Sequence, residues 1–203
     1  FVVDATGSMG DEIDYLKSEL SDVISRVRDS NNGLKFRYGS VFYRDEGDDY
    51  LTRVSGFSTD AGQVLGFIKN QRADGGGDYE EAVHTVLETA VSQLQWSGSA
   101  RARLLFLVLD APPHHTQAIT SDLHHIIRNA AAKGISIIPV SASGVNKDTE
   151  FLFRFFALAT QGTYVFITND SGIGNDHIAA TVGEYQVELL NDLLVRLINK
   201  YTE

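Results

Sequence analysis

Residues 104–109 read LLFLVL, six apolar residues in succession, closed by Asp110. A strand with one wet face alternates apolar and polar residues, whereas an unbroken apolar run of this length suits a central strand of a parallel sheet, covered on both faces. Parallel neighbours need long crossovers, usually helices, so this one run predicts helices above and below a sheet. The rest of the chain supplies them. FVVDA (1–5), LKFRYGSVFY (34–43), YLTRVSGF (50–57), ARLLFLVLDA (102–111), ISIIPVSA (135–142) and TYVFIT (163–168) read as strands. Helical periodicity marks 11–29, 60–70, 78–95, 117–133, 148–160 and 178–201, the first with Ile13, Leu16, Leu20, Val23, Ile24 and Val27 on one stripe. The polar turn RDEGDD (44–49) makes a hairpin of 34–57. The expected fold is therefore α/β and doubly wound: a mostly parallel six-stranded sheet, one antiparallel edge strand at Tyr50–Ser55, and helices on both faces.

With 203 residues and 43% hydrophobic content, one well-buried core is expected, so residues 1–203 are read as a single domain. Beginning inside an apolar run without an initiator Met, the chain is expected to be a piece of a longer protein. A formal charge of −10 argues against a nucleic-acid backbone as the main partner and favours cations. Absence of cysteine removes disulfides and thiolate metal sites without fixing the compartment. No run of about 18 apolar residues is present to span a bilayer, so direct membrane insertion is not expected.

The first strand ends in DATGS, with Asp4, Thr6 and Ser8 at alternate positions and Gly7 between. Ligand sites in open α/β sheets lie beyond the carboxyl ends of the strands. Two more acidic loops fall there, Arg44–Asp49 and Asp110, and the loop Gly75-Gly76-Gly77-Asp78 can reach the same rim. All these donors are oxygens, and no nitrogen or sulfur is required. A small hard cation such as Mg²⁺ takes about six oxygen ligands, one or two of them carboxylates, with water or a ligand in the remainder. Asp4, Thr6, Ser8, Asp78 and Asp110 are thus the candidate metal ligands, for Mg²⁺ first and Mn²⁺ or Ca²⁺ as alternatives. Asp45, Gly77 and His114 are candidates for the ligand-contacting rim.

These residues resemble the von Willebrand factor type A domains, whose metal-ion-dependent adhesion site has the pattern Asp-x-Ser/Thr-x-Ser, with a Thr or Asp from a second loop and an Asp from a third. The resemblance covers essentially the whole chain. Asp4, Thr6 and Ser8 match the first element, Asp78 the second-loop ligand, and Asp110 in LVLDAPPH the third. Residues 75–81 look like the variant Gly-Gly-Gly-Asp-x-Pro-Glu, with Glu80 in place of Pro. Asp78 stands where threonine is better known, which lowers the net charge of a loaded site. The resemblance implies strand order 3-2-1-4-5-6 and a binding module for adhesion, matrix, secretion or assembly. It favours an extracellular or cell-surface location and leaves an intracellular one open.

Simpler roles compete for the same residues. Ser8 or Asp11 can cap the first helix, and Asp78 with Glu81 forms an Asp version of a capping box. A charge-rich turn such as 44–49 is ordinarily solvated. The adjacent pairs His114-His115 and His124-His125 are poor chelators, and Trp96 suits packing at a helix end. The leading functional expectation is a non-enzymatic, monomeric, cation-dependent protein-binding domain whose metal accepts an Asp or Glu carboxylate from the partner. The alternative is an intracellular module organising an ATPase- or chelatase-type assembly. A metal-dependent phosphoryl hydrolase ranks below both, because Thr6 breaks the Asp-x-Asp pattern and no phosphate-binding Gly-Lys-Ser/Thr loop is present.

Overall fold

In the computed structural model, which describes residues 1–77, 79–142, 145–167 and 188–203, Val2–Asp4 forms β1 near the middle of a six-stranded sheet. β2 (Tyr38–Tyr43) lies on one side of it and β4 (Leu104–Leu109) on the other, both parallel to it. β3 (Thr52–Ser58) returns antiparallel on β2, while β5 (Ser136–Ser141) and β6 (Val165–Phe166) extend the parallel part. The order β3-β2-β1-β4-β5-β6 is the one expected.

Alternation along the strands divides the core into two layers. Val3, Phe42, Phe106, Val108, Ile138 and Val140 face α1 (Gly10–Ser30), α2 (Ala61–Lys69) and α6 (Leu190–Thr202). Val2, Val41, Tyr43, Leu105, Leu107 and Ile137 face α3 (Val83–Glu88), α4 (Gln117–Ala132) and α5 (Lys147–Ala159). The predicted stripe of α1 is buried throughout, from Ile13 to Val27. Trp96 packs edge-on against Phe57 and donates its indole N–H to the Ala90 carbonyl at 2.8 Å, closing the end of the α3 segment.

Several boundaries differ from the sequence reading: β2 begins at Tyr38 rather than at residue 34, β3 runs Thr52–Ser58 rather than Tyr50–Ser55, and β6 spans Val165–Phe166 within the expected 163–168. The helix expected from Asp78 begins at Val83 and finishes as a π-helical turn, Thr89–Gln93. The Glu81 N–H donates instead to the Pro112 carbonyl at 2.9 Å, and Glu81 bridges Pro113 in parallel, so a long-range pairing holds this stretch out of the helix. Glu81 therefore cannot complete a capping box, and Asp78 lies outside the described residues. α1 follows a short 3₁₀ turn, Gly7–Met9, and its N-cap is Met9 with no side-chain bond, so neither Ser8 nor Asp11 caps it. Of the expected last helix, 190–201 is helical, and 178–187 lies outside the described residues. Among the described residues, no helix is long and apolar enough to cross a membrane.

Candidate metal centre

The carboxyl ends of β1, β2 and β4 lie level with one another, because Val2 and Val3 pair with Val41 and Phe42 on one side and with Leu107 and Val108 on the other. Loops leaving these ends are consequently neighbours. Asp4 is wholly buried. Its Oδ1 accepts the Thr6 N–H at 2.9 Å and the Thr6 hydroxyl at 2.7 Å, which turns the chain sharply after β1. Its Oδ2 is buried with no well-formed hydrogen bond, and the buried Tyr43 hydroxyl lies within reach of the same carboxylate. Having donated its proton to Asp4, the Thr6 hydroxyl keeps its lone pairs for another acceptor role. Ser8 is exposed one turn later, and Asp110, at the end of β4, is buried.

Burial dominates the electrostatics. It lifts the Asp4 carboxyl to about 7, the Thr6 N–H opposing and the negative charge of Asp110 adding to the effect. Burial also raises Asp110, with the Ser8 hydroxyl holding it back in part. Two acids that the sequence reading did not place among the metal ligands join them. Glu12, on the first turn of α1, is buried with both oxygens unpartnered, and burial takes it to about 7. Glu81 is buried too, and desolvation, reinforced by the charges of Asp4, Asp45, Asp110 and Asp48, takes it to about 9. Without a counter-charge, this rim repels its own second ionisation.

The surrounding loops are tied together by hydrogen bonds between protein groups. Gly7 N–H donates to the Gly75 carbonyl at 3.1 Å, and Asp74 N–H to the Ala5 carbonyl at 3.0 Å. Arg44 is buried rather than solvated: its guanidinium donates to the carbonyls of Ala5 (3.1 Å) and Arg72 (3.0 Å) and lies over the Tyr50 ring. Asp45 is also buried, and its Oδ1 sits 2.7 Å from His114 Nε2, so two of the three rim candidates meet each other. His114 Nδ1 is 3.5 Å from Glu80. Gly77, the third, is exposed in the glycine loop. Asp78 lies outside the described residues.

Four of the five predicted ligands, Asp4, Thr6, Ser8 and Asp110, are thus brought to one rim. The donors are carboxylates and hydroxyls, the set that suits a hard divalent cation. Among the described residues, no three His, Asp or Glu side chains are arranged to hold a metal ion by themselves. A cavity of about 630 Å³ lies elsewhere, at the amino ends of β1 and β4 among Phe1, Leu104 and Trp96, and shares no residue with this rim.

A sequence model of the von Willebrand factor A domain matches residues 1–170. The chain belongs to that family. Along 114 residues it is 32% identical to an ariadne-like RING finger protein of Acanthamoeba polyphaga mimivirus, a match covering 56% of this chain and 11% of the other. Along 119 residues it is 29% identical to the alpha-protein kinase vwkA of Dictyostelium discoideum, covering 58% of this chain and 19% of the kinase. This A domain therefore corresponds to a small part of each relative. A von Willebrand factor type A structure from Catenulispora acidiphila superposes with a TM-score of 0.62 at 16% identity, over 99% of this chain and 41% of that one. At that identity the likeness is one of fold. A domains are generally protein-interaction modules.

Proposed function

We propose that this A domain is a non-catalytic protein-binding module whose binding depends on a divalent cation, Mg²⁺ first and Mn²⁺ or Ca²⁺ as alternatives. Asp4, Thr6, Ser8 and Asp110 would hold the ion, with Asp78 added from the glycine loop on the strength of the family pattern. The observation that carries the reading is the buried Asp4 carboxylate, oriented by Thr6 with no basic side chain bonded to it, at the level of Ser8 and Asp110. When bound, the ion supplies a Lewis-acidic position that accepts an Asp or Glu carboxylate from the partner. The protein's own residues do the rest. Thr6 orients Asp4, Arg44 and the Gly7–Gly75 bond fix the loops, and Asp45 with His114 forms one edge of the docking surface.

Matches covering small parts of a RING finger protein and a kinase support a further possibility at the level of the parent protein, namely that the domain recruits partners to a larger assembly. The test is affinity for an acidic peptide at saturating Mg²⁺, repeated with chelator and with Ser8→Ala. Loss in both, with unchanged circular dichroism, supports the reading. Binding that ignores the chelator overturns the carboxylate mechanism.

A further inference from the structure

The cavity of about 630 Å³ at the amino ends of β1 and β4 is walled from both sides of the sheet. Val23, Ile24 and Val27 reach it from the α1 layer, and Ala90, Leu94 and Trp96 from the opposite layer. A space open to both layers is a gap in the sheet itself, and the strand pairing locates it. Val2 pairs with Val41 and with Leu107, whereas β2 runs back to Tyr38 and β4 to Leu104. At the same register, the position before Phe1 falls between Gly39 and Leu105, and the one before that between Tyr38 and Leu104. Both positions lie in the middle of the sheet, where main-chain groups are normally paired on either side.

The ladder already leads into this gap. The Phe1 carbonyl accepts the Val41 N–H at 2.8 Å, and the Phe1 amine donates to the Gly39 carbonyl at 2.9 Å. Burial lowers that amine to about 5, so at neutral pH it stands there as an uncharged N–H donor, the role of a peptide amide. The Tyr38 hydroxyl, on the cavity wall, is buried without a partner. Charge adds a sign to the mouth. Lys35, Arg37, Arg101 and Arg103 line the cavity with no Asp or Glu among the described residues there, in a chain of 27 acids and 17 bases. Among the described residues none of the four forms an ion pair, and Arg101 and Arg103 bond carbonyls. We infer that this gap is the seat of an extended peptide segment continuing β1 on the amino side of Phe1, two apolar residues long and preceded by an acidic one. Alternation sends the first of these residues toward Trp96, on the side of Val2, and the second toward α1, on the side of Val3. The acid then meets the four basic side chains. A separate strand would bring its own carboxyl end against the Phe1 amine, so the segment is joined to Phe1 by a peptide bond. It fixes the parent polypeptide in the sheet at the end opposite Asp4 and leaves the metal rim open.

The test extends the 203-residue chain before Phe1 by Asp-Val-Val, Lys-Val-Val or Gly-Ser-Gly, and in a fourth arm adds acetyl-Asp-Val-Val-amide to the unextended chain. Trp96 is the chain's one tryptophan and stands on the cavity wall, so its emission reports filling directly. The Asp-Val-Val extension is expected to raise the melting temperature by about 5 °C or more, as burying two valines in a domain of this size implies, and to shift Trp96 emission to shorter wavelength. Lys-Val-Val should give a smaller rise, because a further cation joins those at the mouth, and Gly-Ser-Gly should give none. Equal melting temperature and emission for Asp-Val-Val and Gly-Ser-Gly overturn the strand, as does an Asp-Val-Val chain that fails to fold where Gly-Ser-Gly folds. Equal rises for Asp-Val-Val and Lys-Val-Val overturn the acidic residue. A free peptide that reproduces both effects at millimolar concentration overturns the covalent continuation and makes the occupant a separate partner strand.

Discussion

The Asp48 carboxylate accepts the Gly76 N–H with both oxygens, at 3.0 and 3.3 Å, and so fastens the β2–β3 turn to the glycine loop. Gly75 makes this approach possible. Its φ is +81°, and a Cβ there would stand 2.3 Å from Asp48 Oδ1. Left-handed backbone costs an L-residue about 1–2 kcal/mol before any clash, and the clash adds to it. Gly75→Ala is expected to destabilise the domain by roughly 2–3 kcal/mol, within the range typical of strained substitutions, read as a lower urea midpoint at constant slope. Asp48→Ala, which removes the clashing oxygens, should restore part of the loss in the double variant. Additive losses would show that the two residues do not meet.

Arg44 makes a second prediction. Its buried guanidinium serves two carbonyls in separate loops, Ala5 after β1 and Arg72 before the glycines. Arg44→Met fills similar space but leaves both oxygens short of a donor, at about 1–3 kcal/mol each when buried. The expected loss is roughly 2–4 kcal/mol, reduced for the partial exposure of the loops. Arg44→Lys should recover little of it, because an ammonium lacks the planar fork that reaches two carbonyls at once. Chemical denaturation of the three proteins measures this. Full rescue by Lys would mean that charge rather than geometry holds the loops.

The sheet, its order and the core stripe of α1 were readable in the sequence because apolar periodicity is a local signal and LLFLVL admits one environment. That Asp4, Thr6, Ser8 and Asp110 would share one rim was readable because strand ends are where such loops meet. Three things were not. Glu12 and Glu81 look like acids at helix starts, ordinarily solvated, and only tertiary packing buries them. The late start of α3 follows from a bond between Glu81 and Pro112, far apart in the chain. The Asp45–His114 contact spans 69 residues, so the turn read as solvated is in part buried by a loop that local pattern cannot place beside it.

Glu12 gives the third prediction, a pH dependence. Its carboxyl moves from 4.5 in the unfolded chain to about 7 in the fold, because burial penalises the charge. The folded state therefore holds the proton more tightly than the unfolded one, and stability falls as pH rises from about 4.5 to about 7, after which the loss is complete. Replacing the acid by a neutral isostere removes that loss. In chelator-treated protein, Glu12→Gln should match wild type near pH 4 and be more stable at pH 8 by up to about 3 kcal/mol. Urea midpoints at the two pH values test it. Parallel pH profiles for the two proteins would show that Glu12 is solvated in solution.

Cation binding should itself be visible as stability, which makes the fourth prediction independent of any partner. Asp4 and Asp110 each have their charged form disfavoured by burial, and the charge of Asp110 adds to the cost at Asp4. A cation held at this rim offsets that cost in the folded state alone, because the unfolded chain does not bring the strand ends together. Linkage then gives a gain of about 2.7 kcal/mol when free metal reaches a hundred times its dissociation constant. For a domain of this size, that corresponds to a rise of roughly 5–10 °C in melting temperature. The gain should be larger at pH 8 than at pH 5, because protons compete with the ion for carboxylates whose affinity for protons burial has raised. Ser8→Ala removes an exposed hydroxyl whose bond is to Asp110, worth about 1 kcal/mol, so its metal-free melting temperature should fall by no more than about 2–4 °C while the Mg²⁺-dependent rise shrinks. Differential scanning calorimetry with EDTA and with millimolar Mg²⁺, at both pH values, reads all of these at once. A melting temperature indifferent to Mg²⁺ in the wild type would remove the cation from the mechanism, and an equal rise in Ser8→Ala would remove Ser8 from the site.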